Sequence, residues 1–196
     1  MMDIFLLILQ LTIISIYLFR FSIVDRFPKS IKELYFQLAS DMKILIGKWW
    51  QTIVIPIFII FLSYIGWIVY HIHKFNSLPS FSITDSLSLY LLEGVVLAPF
   101  SEEIIQCLFL SAAFLISIRV YNNKTVIIFI NFAALMIVSF IIANAHFNPT
   151  SINWLLRYFH FMVYGAIYYV FKRNLLPAII AHSSWNFLLL SPIIVN

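Results

Sequence analysis

Five polar side chains stand out of an otherwise apolar chain by type and spacing: Glu102, Glu103, His146, His182 and Asn186. Ser101-Glu102-Glu103 sets two carboxylates side by side at the head of a long apolar stretch. Neighbours on a helix diverge by about 100 degrees, so the two cannot share one task equally. One is expected to face a polar cavity and the other to be braced by hydrogen bonds or a cation, an arrangement suited to a general base or acid. His146 ends a second apolar stretch, in Ala143-Asn144-Ala145-His146. His182 and Asn186 lie four apart in a third, so both project from one helical face.

Taken together, these groups can hydrolyse a peptide bond. A carboxylate takes a proton from water, and histidine and asparagine donate to the oxyanion that forms. Glu102, His146 and His182 could equally ligate Zn²⁺ with one position open. No His-Glu-x-x-His motif accompanies them, so the reading without cofactor or metal is preferred. Each feature also has a plainer use: glutamates at a headgroup boundary, an interfacial histidine, or a histidine and an asparagine that join two helices by hydrogen bonds.

The elements that must position these groups follow from composition. Hydrophobic residues make up 63% of the 196 and charged residues 10%, against about 25% charged in an ordinary soluble domain. Too little charge is available to cover a water-facing surface, so most of the outside must meet lipid. The net charge of +4 is carried in short loops, which fits topology and contact with anionic headgroups and argues against nucleic acid. The single Cys107 excludes an internal disulfide and a cysteine-rich metal site.

A spanning helix needs about 20 mostly apolar residues. Six stretches qualify, at about 3–20, 49–71, 86–119, 125–146, 153–171 and 175–194. The first meets Arg20 with no small-residue cleavage site and reads as a retained helix. The third is too long for one straight span, and Pro99 predicts a break: a short helix to about Leu97, then a span from Pro99 to Ile118. Residues 21–48 mix charge with Ile31, Leu34, Tyr35 and Leu38, the pattern of an amphipathic helix lying in the interface; a soluble linker helix is the alternative. The fold class is therefore all-α, a polytopic bundle of about six transmembrane helices with one interfacial helix. The chain divides into N-terminal membrane helices over 1–85 and a core over 86–196 that carries the candidate site.

With the N-terminus outside, ten of the twelve Lys and Arg residues fall in cytoplasmic loops, leaving Lys74 and Arg157. That topology creates a tension. Glu102 and His146 lie toward the outer leaflet, whereas His182 lies seven residues from the inner end of its span, roughly 10 Å at 1.5 Å per residue. Either the sixth helix is displaced, the third begins deeper, or the orientation is inverted.

Glu102-Glu103, a histidine ending a span, and Leu176-Pro177-Ala178-Ile179-Ile180-Ala181-His182 through Asn186 resemble the CPBP intramembrane proteases over about residues 86–190. That family contains the eukaryotic CaaX prenyl-protein endopeptidases and bacterial proteins linked to bacteriocin processing or self-immunity. The resemblance implies that Glu102 activates water, that Glu103 supports it, that His146 is the histidine of the second motif, and that His182 and Asn186 hold the oxyanion. Gly165 fits the glycine-containing helix between the histidine spans. It also implies a metal-free mechanism, a peptide or membrane-protein substrate, and a multi-pass protein among the lipids of a bacterial cell membrane. Nothing in the residues sets the oligomeric state.

Two positions depart from the family pattern. The arginine of Glu-Glu-x-x-x-Arg is replaced by Cys107, and the phenylalanine four residues before the second histidine by Ile142. Arg157, with His160 one turn later, is the candidate to supply the missing charge from another helix. Besides an endopeptidase, two readings stay open: a non-catalytic immunity or accessory protein that binds a bacteriocin or its receptor, and a small transporter with a proton relay. A degenerate site with weak or no catalysis is the further alternative.

Overall fold

The computed structural model describes residues 4–18, 44–46, 48–77, 87–146, 149 and 151–189. Among the described residues all regular structure is helical, with six main helices. These are α1 (Ile4–Leu18), α2 (Trp50–Phe75), α3 (Ala98–Val120), α4 (Lys124–His146), α5 (Ile152–Val170) and α6 (Leu175–Leu188). The interfacial helix expected at 21–48 lies almost wholly outside the described residues; at its end, residues 44–46 are irregular.

Three of these helices are long and apolar enough to cross a membrane: Trp50–Phe75, Leu91–Val120 and Lys124–His146. Their packing is that of a protein in lipid. On α4 the polar Asn131 and Ser139 are buried, while Ile128 is 69% and Phe129 70% exposed. Apolar side chains face outward because lipid receives them, and polar ones turn inward to find partners.

The third stretch changes helix type where the proline predicts, between Leu97 and Ala98, without a gap in the helical backbone. A helical turn at Leu87–Tyr90 runs into a π-helical stretch, Leu91–Leu97, and this continues directly into α3. Leu97 and Ala98 keep right-handed helical dihedrals, and the Ala98 N–H donates to the Glu93 carbonyl five residues back. The wider π turn carries the chain through the proline, which lacks an N–H and would crowd the carbonyl four residues back in an ordinary α turn.

α3 is the hub and packs on α1, α4, α5 and α6. Polar contacts lock it to α4 and α5. Gln106 Nε2 donates to the Phe161 carbonyl at 2.7 Å and to Ser139 Oγ at 3.3 Å. Ser111 and Tyr168 share a short hydrogen bond, and Tyr169 donates to the Leu110 carbonyl and to Asn131 Oδ1. Gly165 lets the three helices approach, since a Cβ there would overlap Leu135 and stand 3.0 Å from Gln106 Nε2.

The joint between α5 and α6 is a tight turn. Lys172 and Arg173 both adopt left-handed backbone, at φ 55° and 62°, and turn the chain within four residues. Asn174 then caps α6 by accepting from the Leu176 N–H. Its side chain also exchanges two hydrogen bonds with the backbone of Leu45, at 2.6 and 3.0 Å. The Arg173 guanidinium lies 4.0 Å over the ring of Phe114, six residues before α3 ends at Val120. Whatever the depth of each helix, His182 on α6 stands beside Glu102 and Glu103 of α3.

Candidate active site

α3, α4 and α6 bring Glu102, Glu103, His146 and His182 together, with Asn186 one turn along α6 from His182. Glu102 Oε1 lies 3.3 Å from His146 Nε2, and Glu102 Oε2 lies 3.7 Å from His182 Nε2. Glu103 Oε1 lies 2.9 Å from His182 Nδ1. The two carboxylates diverge as adjacent helical positions must: the Glu102 side chain is 21% exposed and that of Glu103 0%. His182 is as sealed as Glu103, at 1%, whereas His146 is 25% exposed.

Each of these side chains is held by its own helix or by a neighbour. His146 Nδ1 donates to the Ile142 carbonyl at 2.8 Å, a main-chain contact that any residue at 142 could offer. The end of α4 that carries His146 is tied to α5, because Trp154 Nε1 donates to Asn144 Oδ1 at 2.7 Å. Ser151 caps α5 at that point by accepting from the Trp154 N–H. Asn186, one turn past His182, is buried and donates from Nδ2 to the Gly94 carbonyl at 2.6 Å.

α5 supplies a wall that residue type alone does not announce. The Tyr164 ring stacks on His182 with centroids 4.6 Å apart and planes 17° from parallel. Phe161 meets His182 edge-on at 5.4 Å. His160 is buried, lies 18° from parallel to Tyr164, and has its ring centroid 3.7 Å from that of Trp185. Tyr164 and Phe161 went unflagged because aromatic residues in an apolar helix are ordinary by type. The spacing 157, 160, 161 and 164 carries the signal, since it marks a single helical face. Beyond His160 and Trp185 a pocket of about 300 Å³ opens between α2 and α5 beside Gly66 and Phe159.

Arg157 heads that same face. Its Cζ sits 5.8 Å from the Phe161 ring centroid, and among the described residues neither glutamate pairs with it directly. Cys107, where the resemblance expects arginine, is fully buried one turn from Glu103. No three His, Cys, Asp or Glu side chains among the described residues converge as a group that could hold a metal ion.

The arrangement can therefore hold a partly open carboxylate between two imidazoles, with a second carboxylate bracing one of them from behind. No curated protein and no solved structure matches this chain. The family profile described as type II CAAX prenyl endopeptidase, Rce1-like, matches residues 84–188, more than half of the 196 and the whole stretch that carries the five residues. The chain belongs to that family of intramembrane proteases and is an integral membrane protein.

Proposed function

We propose that the chain is an intramembrane endopeptidase that hydrolyses a peptide or membrane-associated protein with water activated by Glu102. The observation that carries this reading is the placement of Glu102 between two imidazoles, with Oε1 hydrogen-bonded to His146 Nε2 at 3.3 Å and Oε2 3.7 Å from His182 Nε2, close enough for a water or substrate atom to join them. A carboxylate held in that way is oriented, partly open, and flanked by groups that can pass or donate a proton.

The hydrogen-bond partners support one placement of the protons. His146 gives its Nδ1–H to the Ile142 carbonyl, so its Nε2 is the nitrogen that exchanges a proton with Glu102. His182 and Glu103 are sealed together, and burying a net charge is far costlier than burying a neutral pair. A net-neutral pair, whether acid with imidazole or carboxylate with imidazolium, leaves His182 Nε2 carrying a hydrogen toward Glu102 and the substrate. Glu102 then takes a proton from water as its oxygen attacks the peptide carbonyl. The oxyanion accepts from His182 Nε2–H and from the second Nδ2–H of Asn186. The proton passes from Glu102 by way of His146 Nε2 to the leaving amine as the C–N bond breaks.

Arg157 and His160 act in support. Arg157 balances the two carboxylates through space, and His160 closes the wall against Trp185 and Tyr164. No cofactor enters the scheme and no step is routed through a metal; zinc held by Glu102, His146 and His182 is the alternative that the chelator arm of the test distinguishes. The setting of this reading is a bacterial cell membrane, with bacteriocin processing or self-immunity as the process served.

The test is cleavage of candidate leader peptides by purified protein, with Glu102→Ala, His182→Ala and chelator arms. Loss of cleavage in both variants, with membrane insertion intact and no chelator effect, supports the proposal. Protection of cells from a bacteriocin that survives both substitutions would replace it with a non-catalytic immunity role.

A further inference from the structure

Three buried oxygens near His182 have no hydrogen-bond partner: the Tyr164 hydroxyl, Glu103 Oε2 and Gln106 Oε1. All three side chains are fully enclosed. Glu103 Oε1 meets the edge of the imidazole at Nδ1, and the Tyr164 ring covers its face. The hydroxyl lies in the field of Arg157, Glu103 and Glu102. Glu103 and Gln106 are three apart on α3 and so share a face. Gln106 Nε2 donates to the Phe161 carbonyl and ends against Gly165, so its amide abuts the turn of α5 that bears Tyr164. Packing alone does not call for the hydroxyl, since a phenylalanine would stack on His182 and His160 in the same way. A phenol sealed from water costs free energy unless it is paired, and so does a carboxylate oxygen.

We propose that Tyr164 is a positioning residue, whose hydroxyl holds the Glu103 carboxylate against His182 through one buried water. The proposal rests on the peptidase reading above. The three oxygens amount to one donor and two acceptors, the complement of a water molecule. That water accepts from the Tyr164 O–H and donates to Glu103 Oε2 and to Gln106 Oε1, the three bonds usual for a buried water. With Oε1 on His182 Nδ1 and Oε2 on the water, the carboxylate cannot turn about its own axis. The imidazole then keeps Nε2 aimed at Glu102. Tyr164 touches no substrate atom in this scheme and acts through Glu103.

The full chain in phosphatidylcholine nanodiscs is compared with Tyr164→Phe, which keeps the ring and removes the donor. On a cleaved leader peptide kcat should fall about tenfold with KM little changed, and thermal unfolding should match wild type. A second readout needs no cleavage. Infrared spectra are taken of protein carrying isotope-labelled glutamate, and the carboxyl band that Glu103→Gln removes is the band of Glu103. That band should move in Tyr164→Phe. A fluorotyrosine placed at position 164, a stronger donor in the same shape, should move it the opposite way and keep the fold if the phenylalanine variant loses it. A band unmoved by both changes overturns the proposal, whatever the rate. A moved band with kcat within about twofold of wild type also overturns it, because the hydroxyl then reaches Glu103 without serving turnover. A moved band with no cleavage by wild type sinks the peptidase and keeps the link between hydroxyl and carboxylate.

Discussion

Asn186 donates from Nδ2 to the main-chain carbonyl of Gly94 at 2.6 Å, and Pro99 is the reason that carbonyl is free to accept. In the π register Ala98 N–H bonds the Glu93 carbonyl, and the next donor, for Gly94, would be the N–H of residue 99. Proline has none. The side chain from α6 fills the gap, and the bond fixes the plane of the Asn186 amide. Pro99→Ala supplies the missing N–H, so Gly94 no longer needs Asn186. Turnover is expected to fall by roughly tenfold, about 1.4 kcal/mol of barrier, with KM little changed. Kinetics of the double variant with Asn186→Ala check the route: the proline change should add nothing once the amide is gone, and additive losses would place its effect elsewhere.

The Glu103–His182 pair makes a second prediction, because its neutrality and not its carboxylate is what matters. Glu103→Gln can still offer an N–H to His182 Nδ1 and leave the hydrogen on Nε2. Glu103→Leu cannot, and strands a buried nitrogen at a cost of about 1–3 kcal/mol. Cleavage assays should find the glutamine variant within about tenfold of wild type, while the leucine variant is inactive and melts earlier. Equal inactivity of the two, with the glutamine variant stably folded, would show that Glu103 must be charged.

The helices were legible where apolar runs end in clear stops: the stretches expected at 125–146 and 153–171 appear as Lys124–His146 and Ile152–Val170, the first of them long and apolar enough to cross a membrane. Pro99 marked the change from Leu91–Leu97 to Ala98–Val120, but local rules see only the lost hydrogen bond. The partner that takes up the freed Gly94 carbonyl, Asn186, arrives from 92 residues away in sequence and is a tertiary event. The turn into α6 was equally invisible, since it runs through two left-handed basic residues and an asparagine tied to Leu45. Glu102, Glu103, His146, His182 and Asn186 were visible by type because polar groups are expensive in lipid. Phe161, Tyr164 and Gln106 were not, since an aromatic or an amide in such helices has many uses, and only contact with His182 or the Phe161 carbonyl singles these out.

Gly165 carries a packing prediction that reaches the site indirectly. A methyl group there overlaps Leu135 Cδ1 and crowds Gln106 Nε2 and Leu110 Cδ1, both at 3.0 Å. Gln106 holds the carbonyl of Phe161, whose ring touches His182. Gly165→Ala should therefore destabilise the bundle by about 1–3 kcal/mol and lower activity with it. Thermal unfolding in one detergent checks the first part. Adding Leu135→Ala removes the worst overlap and should restore part of the lost stability; no recovery would mean that the α3 contacts dominate.

Cys107 lies one turn from Glu103 and invites a thiol mechanism, which the burial argues against. Its side chain has no exposure at all, and a nucleophilic thiolate needs both access and a cation or base to stabilise it. Cys107→Ala is expected to cleave peptide within about twofold of wild type, because a small buried hydrophobe replaces another. Maleimide should label the native protein slowly and the unfolded protein at once. Rapid labelling in the folded state that abolishes cleavage, together with an inactive but folded Cys107→Ala, would move the chemistry from Glu102 to the thiol.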